Sequence, residues 1–215
     1  MQNEQAIRQY HEWYYNNELW RKTQFLGADC CKSVSDMWNY QEIIHRLKPS
    51  LLVEFGTYRG GSALYFSAIL KLVNDRSKVL TVDNCLEPGT EQRLRKERHI
   101  QVMKCSSTDP KVAKEILSLR RKFRGPAFFI LDSDHSKAHV LAEMVSLRPV
   151  TRIGDYLIVE DSNINGHPVL PEFGEGPMEA IGEYFSNYPD DYRHDRETEN
   201  KFGFTFAPEG FLIRN

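Results

Sequence analysis

The stretch from Leu51 to Leu72, LLVEFGTYRGGSALYFSAILKL, constrains the fold more than any other part of the chain. A short apolar run (Leu51, Leu52, Val53) suits a buried strand, Gly56, Gly60 and Gly61 suit a turn, and a helical apolar pattern follows. That order predicts one βα unit of an open α/β sheet. Glycine fits the turn because the chain must bend sharply, and because a ligand can approach bare backbone more closely than any Cβ. Glu54 falls at the carboxyl end of the strand, where such sheets lodge ligands, and faces the positive end of the helix.

The pattern recurs four times. Strands are expected at Lys78–Asp83, Ile100–Cys105, Ala127–Asp132 and Tyr156–Glu160, which argues for a parallel sheet with crossover helices. Helices are expected over Met1–Asn17, with Tyr10, Trp13 and Tyr14 on one face, over Ser35–Leu47, from Pro110, over Ser136–Leu147 and over Pro177–Tyr184. Asn163–Gly176, broken by glycines and prolines, reads as a long loop of the kind that serves as a lid. A charged stretch, Asp190–Lys201, leads to Phe202–Arg214, whose two apolar runs look like an antiparallel hairpin closing the sheet. At 215 residues the chain fits one such domain over residues 35–215 with a helical extension over residues 1–34.

Charge narrows the partners. A net charge of −2 gives no general attraction to nucleic acid or anionic membrane, so a small molecule is the expected partner. With no apolar run long enough to span a bilayer and no signal-peptide pattern, a cytoplasmic protein is expected. Cys30, Cys31, Cys85 and Cys105 show no zinc spacing and read as reduced thiols.

The strand ends carry the chemistry. Asp83 follows the glycine turn by one βα unit, where a carboxylate can take ribose hydroxyls; a turn acid is the plainer alternative. Ser106 and Ser107 could flank an adenine ring or cap a helix. Two neighbouring strands end in Asp132-Ser133-Asp134-His135 and Glu160-Asp161, gathering like charges that persist when a cation neutralises them or a proton is shared. The donors are oxygens, which favours Mg²⁺, with Mn²⁺ or Ca²⁺ as alternatives. His135 beside this cluster suits a general base, whereas His139, one turn on, reads as a structural helix residue.

The spacing E-x-G-x-x-x-G-G-S resembles motif I of the class I methyltransferases, which bind S-adenosylmethionine (SAM). The resemblance implies that Gly56, with Thr57, Tyr58, Gly60, Gly61 and Ser62, passes close to the methionine part, with Glu54 near its ammonium. VEFGTYRGGSAL, CSSTDP, LDSDHSKAHVLAEM, YLIVEDSNINGHPV and FAPEGFLIR together resemble the cephalosporin hydroxylase family from about Trp38 to the C-terminus. Despite that name, its members are SAM- and Mg²⁺-dependent O-methyltransferase-like proteins of natural-product and sugar modification.

This resemblance implies a Rossmann-like class I methyltransferase fold: a mostly parallel seven-stranded sheet, an antiparallel C-terminal hairpin, and helices on both faces. It implies Asp132, Glu160 and Asp161 as metal ligands, with Asp134 a rival for the first, and places Asp132 also among the SAM-site and catalytic residues. Mg²⁺ would lower the pKa of a substrate hydroxyl and hold it in line with the methyl group while His135 takes the proton. It further implies homo-oligomers with the N-terminal helix at the contacts. Tyr14, Trp20, His167 and Phe173 are the residues expected to touch a sugar ring or an aromatic acceptor. A non-catalytic SAM-binding scaffold and a Rossmann-type oxidoreductase or hydroxylase are the rival readings; the glycine spacing speaks against the second.

Overall fold

A computed structural model describes residues 2–215. Its elements run α1 (Gln2–Asn16), a 3₁₀ turn (Leu19–Lys22), β1 (Gln24–Phe25), β2 (Ala28–Asp29), α2 (Val34–Leu47), β3 (Leu51–Phe55), α3 (Gly61–Val73), β4 (Lys78–Asp83), α4 (Thr90–Leu94), β5 (Ile100–Lys104), α5 (Pro110–Lys122), β6 (Ala127–Leu131), α6 (Lys137–Leu147), β7 (Tyr156–Val159), α7 (Pro177–Asn187), β8 (Tyr192–His194), α8 (Arg196–Glu199) and β9 (Phe211–Arg214). Seven strands form one sheet in the order β5-β4-β3-β6-β7-β9-β8. Strands β3 to β7 pair in parallel, while β9 runs antiparallel to both β7 and β8.

The central strands β3 and β6 read LLVEF and AFFIL and are buried at every position, as strands covered on both faces must be. Alternation sends their side chains to opposite sides. Leu51, Val53, Phe55, Phe129 and Leu131 pack against α5, α6 and α7, through Ile116, Met144 and Tyr184 among others. Leu52, Phe128 and Ile130 pack against α2 and α3, through Tyr40, Ile44 and Phe66. Each such side chain contributes about 1.5–3 kcal/mol by leaving water. Helix α5 begins as its sequence indicates: Pro110 occupies the first turn and the Asp109 carboxylate accepts the Lys111 N–H at 2.9 Å.

The seven-stranded, mixed sheet is the expected one, but the edge partner of β9 differs from expectation. It is Tyr192–His194, from the charged stretch, and not the run beginning at Phe202. The reason is aromatic packing. Phe204 lies against Tyr10, His11 and Tyr14, Phe206 stacks on His11 with centroids 5.7 Å apart, and the Phe206 N–H donates to Asp36 Oδ2 at 2.8 Å. Phe204 and Phe206 are thus spent on fastening α1 to the body. Among the described residues no helix is long and apolar enough to cross a membrane.

The sheet reverses direction of construction between β3 and β6: the chain first adds β4 and β5 on one side, then returns to place β6 and β7 on the other. A crevice opens at the carboxyl ends of the strands at such a reversal.

Candidate functional site

A cavity of about 1000 Å³ occupies that crevice. Its walls come from the turn after β3 (Gly56, Thr57, Tyr58, Arg59, Ser62), the ends of β4 (Asp83, Asn84, Cys85) and β5 (Ser106, Ser107), and the residues following β6 (Asp132 to His135) and β7 (Asp161). Tyr15, Trp20, Arg21 and Asp29 to Cys31 close it on one side, with Ile164, Leu170 and Phe173 of the 163–176 loop among the remaining lining.

The glycine half is held by backbone. Gly56 has φ +97°, and a Cβ there would stand 1.9 Å from the Asp132 carbonyl oxygen, so no other residue fits. Asp83 Oδ2 accepts the N–H groups of Thr57 (2.9 Å) and Tyr58 (2.8 Å), while its Oδ1 accepts the Cys85 N–H. The acid at the end of β4 therefore shapes the turn while one side of it faces the cavity. Gly60 and Gly61 do not reach the lining: Gly60 abuts the Leu94 side chain, and a Cβ on Gly61 would meet the carbonyl oxygens of Asp29 and Ala28 at 2.4 and 2.6 Å. Their absence of side chain serves packing against α4 and the β1–β2 hairpin.

Glu54 also lies behind the wall. It is fully buried and accepts the Thr81 hydroxyl at 2.8 Å. Burial pushes its carboxyl up to about 7, against the opposing pull of Lys32 and of hydrogen bonds from Ser62 and Thr81. Ser106 and Ser107 both line the cavity; the Ser107 hydroxyl donates to the buried Glu143 carboxylate and meets His139 Nε2 at 2.9 Å. Glu143 also accepts Ser133 Oγ at 2.5 Å, and its hydrogen bond raises the His139 pKa. His139 is thus tied into a buried network as well as facing the cavity.

The acidic half is held by charge. Asp132, His135 and Asp161 offer donor atoms that all lie within 4.8 Å of one another, and His135 Nε2 stands 3.3 Å from Asp161 Oδ2. Asp161 adopts φ +55°, a left-handed conformation uncommon for a residue with a side chain and a frequent mark of functional positions. Asp134 is turned away from this group: it accepts the Ser136 N–H at 2.8 Å at the start of α6, and that bonding lowers its pKa. Between the two aspartates of DSDH, only Asp132 joins the cluster.

Glu160 is placed differently from its neighbour. Its Oε1 accepts Lys32 Nζ at 2.8 Å and the Tyr40 hydroxyl at 2.8 Å, and the residue does not line the cavity. The same Lys32 Nζ donates to Asp132 Oδ2 at 2.6 Å, with the lysine side chain only 3% exposed. Burial alone would lower the lysine pKa, but the carboxylates of Asp132, Glu160 and Glu54 outweigh it and hold the group well above its ordinary value. Lys32 thus bridges two carboxyl groups that come from different strand ends. Nothing in the local pattern ADCCKSVS around Lys32 marks it as a site residue, since its partners lie 100 and 128 positions away.

Of the four residues expected against an acceptor, Trp20 and Phe173 line the cavity. Tyr14 is buried against Phe204 and Phe206, and its neighbour Tyr15 faces the cavity instead, one residue round the helix. His167 is drawn off to Glu179 at 3.0 Å.

Residues 17–215 match the family described as Rhamnosyl O-methyltransferase/CmcI. A rhamnosyl O-methyltransferase of Mycobacterium tuberculosis (strain ATCC 25618 / H37Rv) is 57% identical over 210 residues, covering 98% of this chain and 85% of the relative. One of Mycobacterium leprae (strain TN) is 52% identical over 209 residues, covering 96% and 89%. A solved structure of cmcI with Mg and SAM shares the fold, with a TM-score of 0.65 at 22% identity over 91% of this chain and 77% of that one. The chain belongs to the Rhamnosyl O-methyltransferase/CmcI family.

Proposed function

We propose that the protein transfers the methyl group of SAM to a hydroxyl of a small molecule, with a sugar hydroxyl as acceptor. Relatives at 57% and 52% identity carry the name rhamnosyl O-methyltransferase, and the cavity side walls offer flat aromatic faces, Tyr15 and Trp20, suited to a pyranose ring. The nucleoside part would lie between Asp83 and Ser106 and Ser107, over the bare backbone of Gly56.

The observation that carries the reading is the meeting of Asp132, His135 and Asp161 on one side of the same cavity. Asp132 and Asp161 supply the carboxylate oxygens that would hold Mg²⁺. A bound divalent ion lowers the pKa of a ligated hydroxyl and fixes its oxygen. We assign His135, whose Nε2 stands 3.3 Å from Asp161 Oδ2, as the residue that would take the hydroxyl proton, on the ring nitrogen that Asp161 leaves free. Arg59, fixed at 2.6 Å to Asp29 Oδ2, and the Cys30–Cys31 backbone would help keep water out of that corner. The outward Tyr10 and Trp13 of α1 are the surface we assign to contact between copies, and a cytoplasmic setting fits the reading.

Transfer of labelled methyl from SAM to a rhamnosyl acceptor tests the proposal. His135→Ala is expected to lower kcat by about 10²–10³ with little change in SAM affinity. Wild-type protein that binds SAM and acceptor yet transfers no methyl would leave the scaffold reading in its place.

A further inference from the structure

At the amino ends of the parallel strands, away from the cavity, the connecting segments are tied into one rim. The Ser50 N–H donates to the Pro126 carbonyl at 3.0 Å, the Lys78 N–H to the Ser50 carbonyl at 3.0 Å, and Asn74 Nδ2 to the Pro49 carbonyl at 3.2 Å. Asp155 joins the start of β6, at Ala127, to the turn before β7, at Arg152. The segments preceding β4, β3, β6 and β7 are therefore continuous, and at the spacing of strands in a sheet they span about 14 Å.

Six cations lie on this rim and on the helix ends beside it: Lys48, Arg76, Lys78, Arg121, Lys122 and Arg124. Among the described residues none of the six pairs with a carboxylate, whereas Arg8, Arg59, Lys137 and Lys201, elsewhere on the surface, each do. The acids nearby are already engaged, Asp155 by Arg120 and Asp75 at 3.7 Å from both Arg98 and His99. The overall charge of −2 thus conceals a local positive excess. Two aliphatic side chains stand out in water beside it: Leu72, at the end of α3, is 82% exposed and Ile153, in the turn before β7, is 85% exposed.

Unpaired cations with separate aliphatic side chains among them suit the boundary of an anionic bilayer, where Lys and Arg meet lipid phosphates and aliphatic groups enter the outer acyl region. A docked helix fits less well. The hollow on this rim, between Arg76, Lys78, Arg98 and Phe123, is about 350 Å³, room for a headgroup but not for a helix about 10 Å wide.

We propose that this rim docks on an anionic phospholipid surface, the six cations meeting lipid phosphates and Leu72 and Ile153 entering the bilayer. Such attachment is reversible and needs no spanning helix. The cavity lies at the other ends of the strands, so a docked molecule keeps it turned to the solution. The inference is independent of how the cavity is read.

Sedimentation of the full chain with vesicles of phosphatidylcholine, alone or with about 30 mol% phosphatidylglycerol, in about 0.1 M NaCl tests it. Wild type is expected to bind the anionic vesicles at least tenfold more tightly than the neutral ones, and to lose at least tenfold in about 0.5 M NaCl. Reversing two rim charges, Arg121→Glu with Arg124→Glu, is expected to cost at least twentyfold. The same change of net charge elsewhere, Arg8→Glu with Lys201→Glu, is expected to cost less than threefold. In Ile153→Trp, anionic vesicles are expected to shift the emission of the added indole to the blue.

Equal binding to both kinds of vesicle, or equal losses in the two double variants, would overturn the inference. So would tighter binding to soluble polyglutamate than to the anionic vesicles, which would put an acidic protein surface in place of the membrane. Should the rim double variant not fold, the emission of Ile153→Trp decides: an unshifted spectrum with anionic vesicles present would also overturn the inference.

Discussion

Two buried ion pairs sit at opposite ends of the same sheet, and they are built to different ends. At the amino ends of β6 and β7, Arg120 and Asp155 are each 2% exposed in their side chains. Asp155 takes four N–H donors: two from the Arg120 guanidinium at 2.5 and 3.1 Å, one from Ala127 at 2.8 Å and one from Arg152 at 2.7 Å. One positive charge meets one negative charge, and the acid's lone pairs are occupied. At the carboxyl ends of the same strands, Lys32 meets two carboxylates, with Glu54 and Asp161 close by. Burial raises the pKa of Asp161, against the opposing pull of His135. A one-to-one pair marks the structural end of the sheet, and a lysine shared among several acids beside a cavity marks the end where a cation and a reacting group can be received.

The largest effect expected from breaking this contrast is at the balanced pair. Asp155→Ala strands a buried guanidinium and should cost about 3–5 kcal/mol in urea unfolding, while leaving Mn²⁺ affinity unchanged. Gly56→Ala comes next. Its Cβ would press into the Asp132 carbonyl in a left-handed backbone, at a cost of about 3 kcal/mol or more, and, unlike Asp155→Ala, it should also abolish SAM binding in calorimetry. Asp83→Ala removes the acceptor of three backbone N–H groups and should cost about 2–3 kcal/mol, together with a marked loss of SAM affinity.

The smallest effect concerns the 163–176 loop. Against the upward push of burial, hydrogen bonds from the Gly176 N–H, His167 and Asn165 hold Glu179 down to about 2. A folded pKa below the unfolded value near 4.5 means the stabilisation is complete above about pH 4.5 and is lost as pH falls toward 2. Glu179→Gln should flatten the stability curve over that window by about 1–2 kcal/mol. Near pH 7 it should loosen the loop, read as faster amide exchange at Gly174 and Gly176.

The sheet was legible because its central strands are apolar at nearly every position, so that β3, β4, β6 and β7 lie where their runs predict. The acidic strand ends were legible for the same reason: once a parallel sheet is inferred, acids that close successive strands must share an edge. What composition and periodicity could not show is which way each acid turns. Glu160 and Asp161 are adjacent in sequence, yet one reaches Lys32 and Tyr40 and the other His135, because Asp161 takes a left-handed backbone conformation. The edge strand was hidden by similar means. Phe202–Phe206 has the composition of a strand, but the rings of Phe204 and Phe206 are drawn to the aromatic face of α1, leaving the more polar Tyr192–His194 to pair with β9.

The central claim is that a divalent ion at Asp132 and Asp161 serves methyl transfer. The direct test is the rate of labelled-methyl transfer from SAM to a rhamnosyl acceptor, with Mg²⁺ and with chelator, for wild type and Asp161→Asn. The account predicts transfer by wild type with Mg²⁺, and at least a 10²-fold loss both in chelator and in Asp161→Asn. Undiminished transfer by Asp161→Asn in chelator would contradict it.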